Sequence, residues 1–341
     1  MKIAFQITLF LTVVGCVGQA APATAEENLI QSVLSPPTPN EIAQVLADLR
    51  NLDLEPRDVV IRDFRRLANS NHLFVLSHRV EGRLHYGAVI VPESHGLEKL
   101  PVILFAAGGD GIHKELDITS DFNHAAAEYP AFLGGNLDSA FIVVIPSFRG
   151  QELRIGDKTF QSEGQVGDAF GGATTDALAF MNVVLRTFDR ADEGRMAVYG
   201  GSRGGTVALL AAARNPRIRR AIAVAAPTDM HDLYQLYPDQ FKLLFFNDLI
   251  AGRITESVAR KNFIGISPVH FAGELPRIQL HHDRNDPFVP VAFADTLIRK
   301  MTALGKPIEA HRYDEGIHGF WSDENFWKRV TEFLMPLTET H

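Results

Sequence analysis

The sequence has a single cysteine, Cys16, among 341 residues. A disulfide needs two cysteines, so no intrachain disulfide can form and the fold must rely on its core. Hydrophobic residues make up 46% of the chain, which is enough for a large core in one big domain or two modest ones. We therefore expect a globular protein that needs no disulfide.

Basic residues are fewer than acidic ones. The 33 Lys and Arg residues face 41 Asp and Glu residues, which leaves a net charge of −8, and no long basic run is present. A protein that follows a nucleic-acid backbone needs such a run, so we expect no nucleic-acid partner. The histidines show neither H-x-H nor H-E-x-x-H spacing. We therefore expect no metal ion and no cofactor.

Long apolar runs are absent except near the N terminus. The run over residues 3–14 follows Lys2, is too short to span a bilayer as a helix, and precedes small residues. This order is typical of a secretory signal. We predict that residues 1–25 are a signal peptide and that the protein is exported to the periplasm or the cell surface.

Two processing sites fit this leader. The stretch ATA, residues 23–25, is an A-x-A site for cleavage after Ala25. The stretch VVGC, residues 13–16, instead resembles a bacterial lipoprotein signal, in which Cys16 becomes the lipidated N terminus. The second alternative would attach the protein to a membrane through Cys16.

Residues 26–71 are predicted to be a lead-in with one short helix. Thr38 can cap that helix, Pro39 suits its first turn, and Glu41 completes a capping box. We expect the helix to end near Arg50. The main domain is then predicted to cover residues 72–341.

In the main domain, strand-like runs alternate with helical ones. Two extended runs separated by Glu81-Gly82 predict an antiparallel hairpin, and continuous apolar strands then alternate with helices. Such alternation predicts an α/β fold with a mostly parallel central sheet and helices on both faces. Between about residues 229 and 271 the alternation stops, and we expect a small helical cap there.

One glycine-rich stretch, AVYGGSRGGTVALL, begins at residue 197. It places a predicted strand, then G-x-S-x-G, then a helix of small residues, which is the pattern of a nucleophile elbow. The elbow glycines are Gly200, Gly201 and Gly204, and Ser202 is the predicted nucleophile. Glycines allow the strand and the helix to approach closely while the serine hydroxyl stays exposed. The stretch lacks the G-K-[ST] ending of a phosphate-binding loop.

A serine needs a base and an acid to become a nucleophile. In an elbow protein they follow the serine in the order acid, then histidine. Asp286 follows a late predicted strand, and His318 follows the last one, so both should lie at the edge of the sheet that carries Ser202. We predict that His318 is the base and Asp286 its acid, with Asp283 as the rival acid.

An oxyanion hole needs two backbone N–H donors. The N–H of Arg203, at the start of the predicted helix, is the first candidate. The second should follow the predicted strand at residues 101–107, where Gly109 is preferred and Gly108 remains open.

These motifs resemble the α/β-hydrolase fold and, more narrowly, the catalytic domain of the prolyl oligopeptidase family. The narrower resemblance rests on G-x-S-x-G-G at 200–205 and on the segments VVIPSFRGQ, HDRNDPFVP and YDEGIHGF. It covers roughly residues 72–335, and it implies a structural role for Arg149. Many relatives have an aromatic residue where this chain has Arg203, and a histidine where it has Ala107. The lead-in is too short for the β-propeller of the size-selective peptidases.

The resemblance implies a serine hydrolase that acts through an acyl-enzyme on a small peptide or ester, and the leader predicts that it is exported. Family likeness favours a peptidase, whereas dienelactone hydrolases and acyl esterases of the same fold are equally compatible. A non-catalytic surface lipoprotein that keeps the fold for binding is the alternative of another class. The sequence gives no indication of the oligomeric state.

Overall fold

A nine-stranded mixed sheet forms the centre of the molecule. The structure is a computed structural model and describes residues 24–67, 70–93, 98–109, 115–118, 137–165, 167–320 and 322–339. Residues 1–23, which include Cys16 and most of the predicted signal peptide, lie outside the described residues. The spatial order of the strands is β1 (Arg57–Arg66), β2 (His72–Val80), β3 (Arg83–Val91), β6 (Ile142–Pro146), β4 (Leu100–Ala106), β9 (Ala191–Gly201), β10 (Ile218–Val224), β11 (Arg277–Asp283) and β12 (Ile308–Tyr313).

Six neighbouring strands of this sheet, from β6 to β12 in the spatial order, are parallel. The strands β1, β2 and β3 are antiparallel and add to the β6 edge, so the predicted hairpin is confirmed. A separate small sheet contains β5 (Glu115–Asp117), β7 (Glu152–Ile155) and β8 (Lys158–Gln161). The chain has the α/β-hydrolase fold, as the motifs indicate.

Two apolar layers cover the two faces of the sheet. Along β4, Val102 and Leu104 belong to one buried cluster, while Ile103 and Phe105 belong to the other. Successive side chains of a strand point to opposite faces, which explains why the strand is apolar throughout. The described helices are α1 (Ala25–Leu34), α2 (Pro39–Arg50), α3 (Leu137–Ala140), α4 (Gly171–Thr187), α5 (Arg203–Arg214), α6 (Met230–Leu236), α7 (Pro238–Ile250), α8 (Glu256–Gly265), α9 (Ala292–Ala303) and α10 (Glu324–Leu334).

The lead-in contains more structure than the sequence indicates. Its predicted helix is α2, with the Thr38–Glu41 capping box in place, but α1 precedes it and β1 follows it. Strand β1 pairs with β2, so the sheet begins before the expected domain boundary at residue 72. The sequence RDVVIRDFRR lacks clean alternation because β1 is an exposed edge strand with two register shifts.

Helices fill the stretch between β10 and β11 where the sequence predicts a cap, and we call this stretch the cap. It contains α6, α7 and α8, and a short 3₁₀ helix, Pro268–Glu274, leads from it back to the sheet. None of the helices in the described part of the chain is long and apolar enough to cross a membrane.

The strand order brings two loops together at one edge of the sheet. Strand β4 lies between β6 and β9, so the chain proceeds to opposite sides of β4, which makes this a switch point. Ala106 at the end of β4 is opposite Gly200 near the end of β9. The loop after β4 and the turn after β9 therefore lie side by side, where parallel sheets bind ligands.

A buried ion pair holds the loop after β6. The backbone N–H and the Nε of Arg149 donate to Asp176 Oδ2 at 2.8 and 3.0 Å, and Nη2 donates to Oδ1 at 2.8 Å. Burial opposes the charge on Arg149, but Asp176, Asp168 and Glu81 outweigh it and raise its pKa above the ordinary value. The structural role expected for Arg149 is confirmed.

Two buried histidines face each other beside this ion pair. His78 and His85 are each 1% exposed and their ring centroids are 6.0 Å apart. His85 Nδ1 is 3.8 Å from Asp176 Oδ1, and neither ring nitrogen of His85 has a hydrogen-bond partner among the described residues. Burial lowers the pKa of both imidazoles to about 4. The charge of His85 adds to the effect on His78, and the charge of Arg149 adds to the effect on His85.

We expect these histidines to make stability depend on acidity. Their folded pKa lies below the unfolded value, so their contribution is complete above about pH 6.5 and is lost as the pH falls toward 4. From pH 7.5 to 5.0, each should remove about 2 kcal/mol from the free energy of unfolding. The His85→Phe variant should lose about 2 kcal/mol less than the native protein over this interval, as measured by urea unfolding at both pH values.

The control is His72→Phe on the neighbouring strand β2, where the side chain is only partly buried. An identical pH dependence in the native and His85→Phe proteins would contradict the assignment.

Candidate active site

Ser202 sits at a sharp turn between β9 and α5. Its backbone has φ 53° and ψ −124°, a conformation that is strained for a residue other than glycine. The Ser202 N–H donates to the Val224 carbonyl at 2.7 Å, and its own carbonyl accepts from Gly205 and Thr206. These bonds hold the turn, and the serine side chain remains partly exposed.

The glycines around Ser202 are required by close packing. A Cβ on Gly200 would lie 2.2 Å from the Gly204 carbonyl oxygen, and one on Gly204 would lie 2.0 Å from the Ala106 oxygen. Gly201 is the last residue of β9. Strand β4, strand β9 and helix α5 therefore meet with no room for a side chain at position 200 or 204.

The structure brings the predicted base and acid together. His318 follows β12, Asp286 follows β11, and Nδ1 of His318 is 2.8 Å from Oδ2 of Asp286. The Asp286 side chain is fully buried, whereas that of His318 is 26% exposed. Since β9, β10, β11 and β12 are parallel neighbours, the loops that carry Ser202, Asp286 and His318 all leave the same edge of the sheet.

Asp286 is held as a carboxylate. Its other oxygen, Oδ1, accepts from the backbone N–H groups of Phe288 and Val289 at 2.8 and 2.9 Å. Burial favours the neutral acid, but the hydrogen bonds from His318, Val289 and Phe288 outweigh it, so the pKa of Asp286 lies below its usual value. Oδ2 of Asp286 can therefore accept a hydrogen bond from a protonated Nδ1 of His318.

The rival acid, Asp283, has a different task. Its Oδ1 accepts from the Asn285 N–H at 2.7 Å, and its Oδ2 accepts from Glu315 and Gly316 at 2.7 and 3.1 Å. Glu315 and Gly316 belong to the loop that carries His318. Asp283 thus ties that loop to the end of β11, and Asp286 is the acid that contacts the imidazole.

The neighbouring histidines are packed in the interior. His281 contacts the Tyr313 hydroxyl and Gln279, at 2.8 and 2.9 Å. His282 Nε2 is 2.7 Å from the Val289 carbonyl and 3.7 Å from Asp286 Oδ2. Both rings are buried, and burial lowers the pKa of each. Among the described residues, no group of three or more His, Cys, Asp or Glu side chains is arranged to hold a metal ion.

The two predicted backbone donors lie in the turn after β9 and in the loop after β4, which are neighbours at this edge of the sheet. Arg203 is the first residue of α5, so its N–H has no acceptor within the helix. Gly109 follows β4 with φ +124°, a conformation that favours glycine. The Arg203 side chain folds back to this loop, and its Nη2 donates to the Gly108 carbonyl at 2.9 Å.

An aromatic rim borders the site on the cap side. Phe288 is 63% exposed, and its ring packs edge-on against His318 with centroids 5.4 Å apart. The hydroxyl of Tyr237, at the junction of α6 and α7, donates to the Phe288 carbonyl at 2.8 Å. The cap is therefore linked to the loop that carries Asp286.

Sequence reasoning missed two parts of this site. The loop-holding role of Asp283 could have been sought in the D-x-x-D spacing, which provides two carboxylates at one strand end. The contact of Arg203 with the loop after β4 had only one signal, a long charged side chain at the start of a buried apolar helix.

A protein-family model matches the part of the chain that carries these features. The model of the prolyl oligopeptidase family matches residues 136–336, which is more than half of the chain and includes Ser202, Asp286 and His318. No curated protein sequence matches significantly.

Several solved structures share the fold. Acetyl xylan esterase 1 from Thermoanaerobacterium sp. JW/SL YS485 has a TM-score of 0.62 at 16% identity, covering 91% of this chain and 99% of that one. The acylaminoacyl peptidase of Pyrococcus horikoshii has a TM-score of 0.57 at 18% identity, covering 82% and 50%. A puromycin-hydrolyzing peptidase of Mycobacterium tuberculosis has 0.58 at 16%, covering 83% and 46%. The chain thus spans about half the length of these two peptidases.

The packing around Gly204 makes a direct prediction. The Gly204→Ala variant should lose at least about 3 kcal/mol of the free energy of unfolding, because the added methyl would meet the Ala106 carbonyl at 2.0 Å. Denaturant unfolding measures this loss. The matched control is Gly273→Ala, whose nearest neighbour would be Leu304 at 3.8 Å, an ordinary contact. Equal stability of the two variants would contradict the close approach of α5 to β4.

Proposed function

Because the chain belongs to the prolyl oligopeptidase family and is a serine hydrolase, we propose that Ser202, His318 and Asp286 are its catalytic triad. The observation that carries the proposal is the 2.8 Å contact between His318 Nδ1 and the buried Asp286 Oδ2, in loops that leave the same edge of the sheet as the strained turn at Ser202. Asp286 fixes the tautomer in which Nδ1 bears the proton, so Nε2 is left as the base. As a serine hydrolase, the chain does not fit the alternative of a non-catalytic binding protein.

The reaction begins with attack by Ser202. Its Oγ adds to the carbonyl carbon of the substrate while His318 Nε2 takes the hydroxyl proton, and the resulting imidazolium is stabilised by Asp286. The carbonyl oxygen becomes an oxyanion that accepts hydrogen bonds from the N–H groups of Arg203 and Gly109. His318 then gives its proton to the leaving group as the carbon–heteroatom bond breaks, which leaves an acyl-enzyme on Ser202.

Water completes the cycle. His318 takes a proton from a water molecule as its oxygen attacks the acyl carbon, and a second oxyanion forms in the same place. When this intermediate collapses, His318 returns the proton to Ser202 Oγ and the acid product leaves. None of these steps needs a group beyond the side chains and backbone amides named here.

For the substrate, we favour an acyl ester. The acetyl xylan esterase aligns over almost its whole length with almost the whole of this chain, whereas the acylaminoacyl peptidase aligns over half of its own. A small peptide is the second candidate, and the match to the prolyl oligopeptidase family model favours it.

One comparison of substrates tests the reaction and the bond together. We expect the native protein to hydrolyse an aryl acetate and the Ser202→Ala variant to lose at least about 1000-fold in kcat, because the nucleophile is removed. The anilide of the same acyl group is assayed in parallel, since cleavage of an amide requires protonation of its nitrogen by His318.

The outcomes separate the candidates. Ester cleavage without anilide cleavage supports the esterase, and cleavage of both supports the peptidase. Activity that is equal in native and Ser202→Ala proteins would rule out the triad. The control variant Ser32→Ala, on α1 far along the chain from the site, should leave both rates unchanged.

We also propose that the protein is exported and anchored through Cys16. Helix α1 begins at Ala25 and has a complete capping box between Thr24 and Glu27. Cleavage before Cys16 keeps this box, whereas cleavage after Ala25 removes Thr24, and such a cap contributes about 1 kcal/mol to a helix. The retained cap therefore favours the lipoprotein alternative.

Maturation in a bacterial host gives a direct measurement. We expect the mature protein to fractionate with membranes and its N-terminal peptide to carry a diacylglyceryl mass on Cys16. The Cys16→Ser variant should lose this mass and the membrane association. A soluble mature protein that begins at residue 26 would contradict the proposal.

A further inference from the structure

The guanidinium of Arg203 is buried beneath the loop that follows β4. Arg203 is 4% exposed, and its Nη2 donates to the Gly108 carbonyl at 2.9 Å and approaches the Ala107 carbonyl at 3.5 Å. A Cβ on Gly109 would lie 3.5 Å from the same nitrogen. The side chain is thus packed directly against the backbone of residues 107–109.

The guanidinium is itself held in place from the side of β6. Its central carbon lies 5.3 Å from the centroid of the buried Phe148 ring, a cation–π geometry. The Phe148 N–H donates to Gln151 Oε1 at 3.0 Å, and the next residue, Arg149, is fixed by Asp176. Phe148 therefore has a fixed position, and the planar guanidinium lies between its ring and the glycine loop.

This contact controls the direction of a backbone N–H. The carbonyl of Gly108 and the N–H of Gly109 belong to one planar trans peptide group, in which they point in opposite directions. When Arg203 binds the Gly108 oxygen, the Gly109 N–H is turned away from the guanidinium. The bond to the Ala107 carbonyl is longer, so the peptide that contains the Gly108 N–H is held less firmly.

We propose that the Arg203 side chain is a positioning group that orients the Gly109 N–H as the second oxyanion donor. The proposal rests on the proposed function, since it concerns the oxyanion of that reaction. One residue then serves both donors: its backbone N–H is the first, and its side chain holds the second. This assigns Gly109 rather than Gly108.

A glycine loop needs such a restraint. Glycine populates φ values on both sides of zero almost equally, so the backbone of Gly108 and Gly109 has little preference for one peptide orientation. An N–H that rotates freely would stabilise the oxyanion less, while binding of the planar substrate would change little. The expected signature of losing the guanidinium is therefore a lower kcat with a similar KM.

The test compares three variants on the ester that the native protein cleaves. Arg203→Met keeps the length of the side chain and removes its donors, and we expect kcat to fall about 30- to 300-fold, close to the loss of one oxyanion donor. Arg203→Lys keeps a donor and a charge and should recover part of that loss. In both variants KM should stay within about threefold of the native value.

The matched control is Arg214→Met at the other end of α5. Arg214 is also 4% exposed and also binds backbone carbonyls, those of Gly171 and Gly265, at 3.2 and 3.1 Å. Its hydrogen bonds in the described part of the chain go to Gly171 and Gly265 and not to residues 107–109, so its loss should lower the free energy of unfolding and leave kcat within about twofold. A loss of kcat that merely reflected a damaged helix would appear in this variant as well.

A trifluoromethyl ketone provides a readout that a structural role would not move. Ser202 Oγ adds to its electrophilic carbonyl carbon while His318 takes the hydroxyl proton, which gives a tetrahedral oxyanion. Its inhibition constant should therefore rise in Arg203→Met by the same factor as kcat falls. An unchanged kcat and inhibition constant in a folded Arg203→Met or Arg203→Lys protein would overturn the proposal. No hydrolysis by the native protein would instead overturn the proposed function itself.

Discussion

The close contact of α5 with β4 and β9 is the constraint on which the rest of the site depends. Backbone meets backbone there, because Gly200 and Gly204 leave no side chain between the helix and the strands. The contact places the start of α5 next to the end of β4. It therefore brings Ser202, Arg203 and the loop at Gly108 within one small volume, and it leaves Ser202 in a backbone conformation that only the surrounding packing can maintain.

The other half of the site is built on β11 and β12 by carboxylates that bind backbone. Asp286 binds the N–H groups of its own loop and uses its second oxygen for His318. Asp283 binds the N–H groups of the histidine loop. Two acids therefore fix the imidazole of His318. Asp286 contacts the ring, and Asp283 holds the loop that carries it.

Much of this arrangement could be read from the sequence. The positions of Ser202, Asp286 and His318 after β9, β11 and β12, and the alternation of apolar strands with helices, depend on local patterns in the sequence. Strand β1 could not be recognised, because an edge strand is exposed and needs no periodic apolar face. The conformation of Arg203 could not be recognised either, since it depends on Phe148 and Gly108, which are distant in sequence and meet only in the folded chain.

The burial of Arg203 also has a consequence for how the site can change through mutation. The guanidinium fills the space between the Phe148 ring and the Gly108 carbonyl, so an aromatic residue at 203 would meet both partners at once. The side chain of Phe has no donor for that carbonyl, and any aromatic ring needs a differently shaped space. Residues 148, 203 and 108 are therefore energetically coupled, and the effect of an aromatic substitution at 203 should depend on which residues stand at 148 and 108.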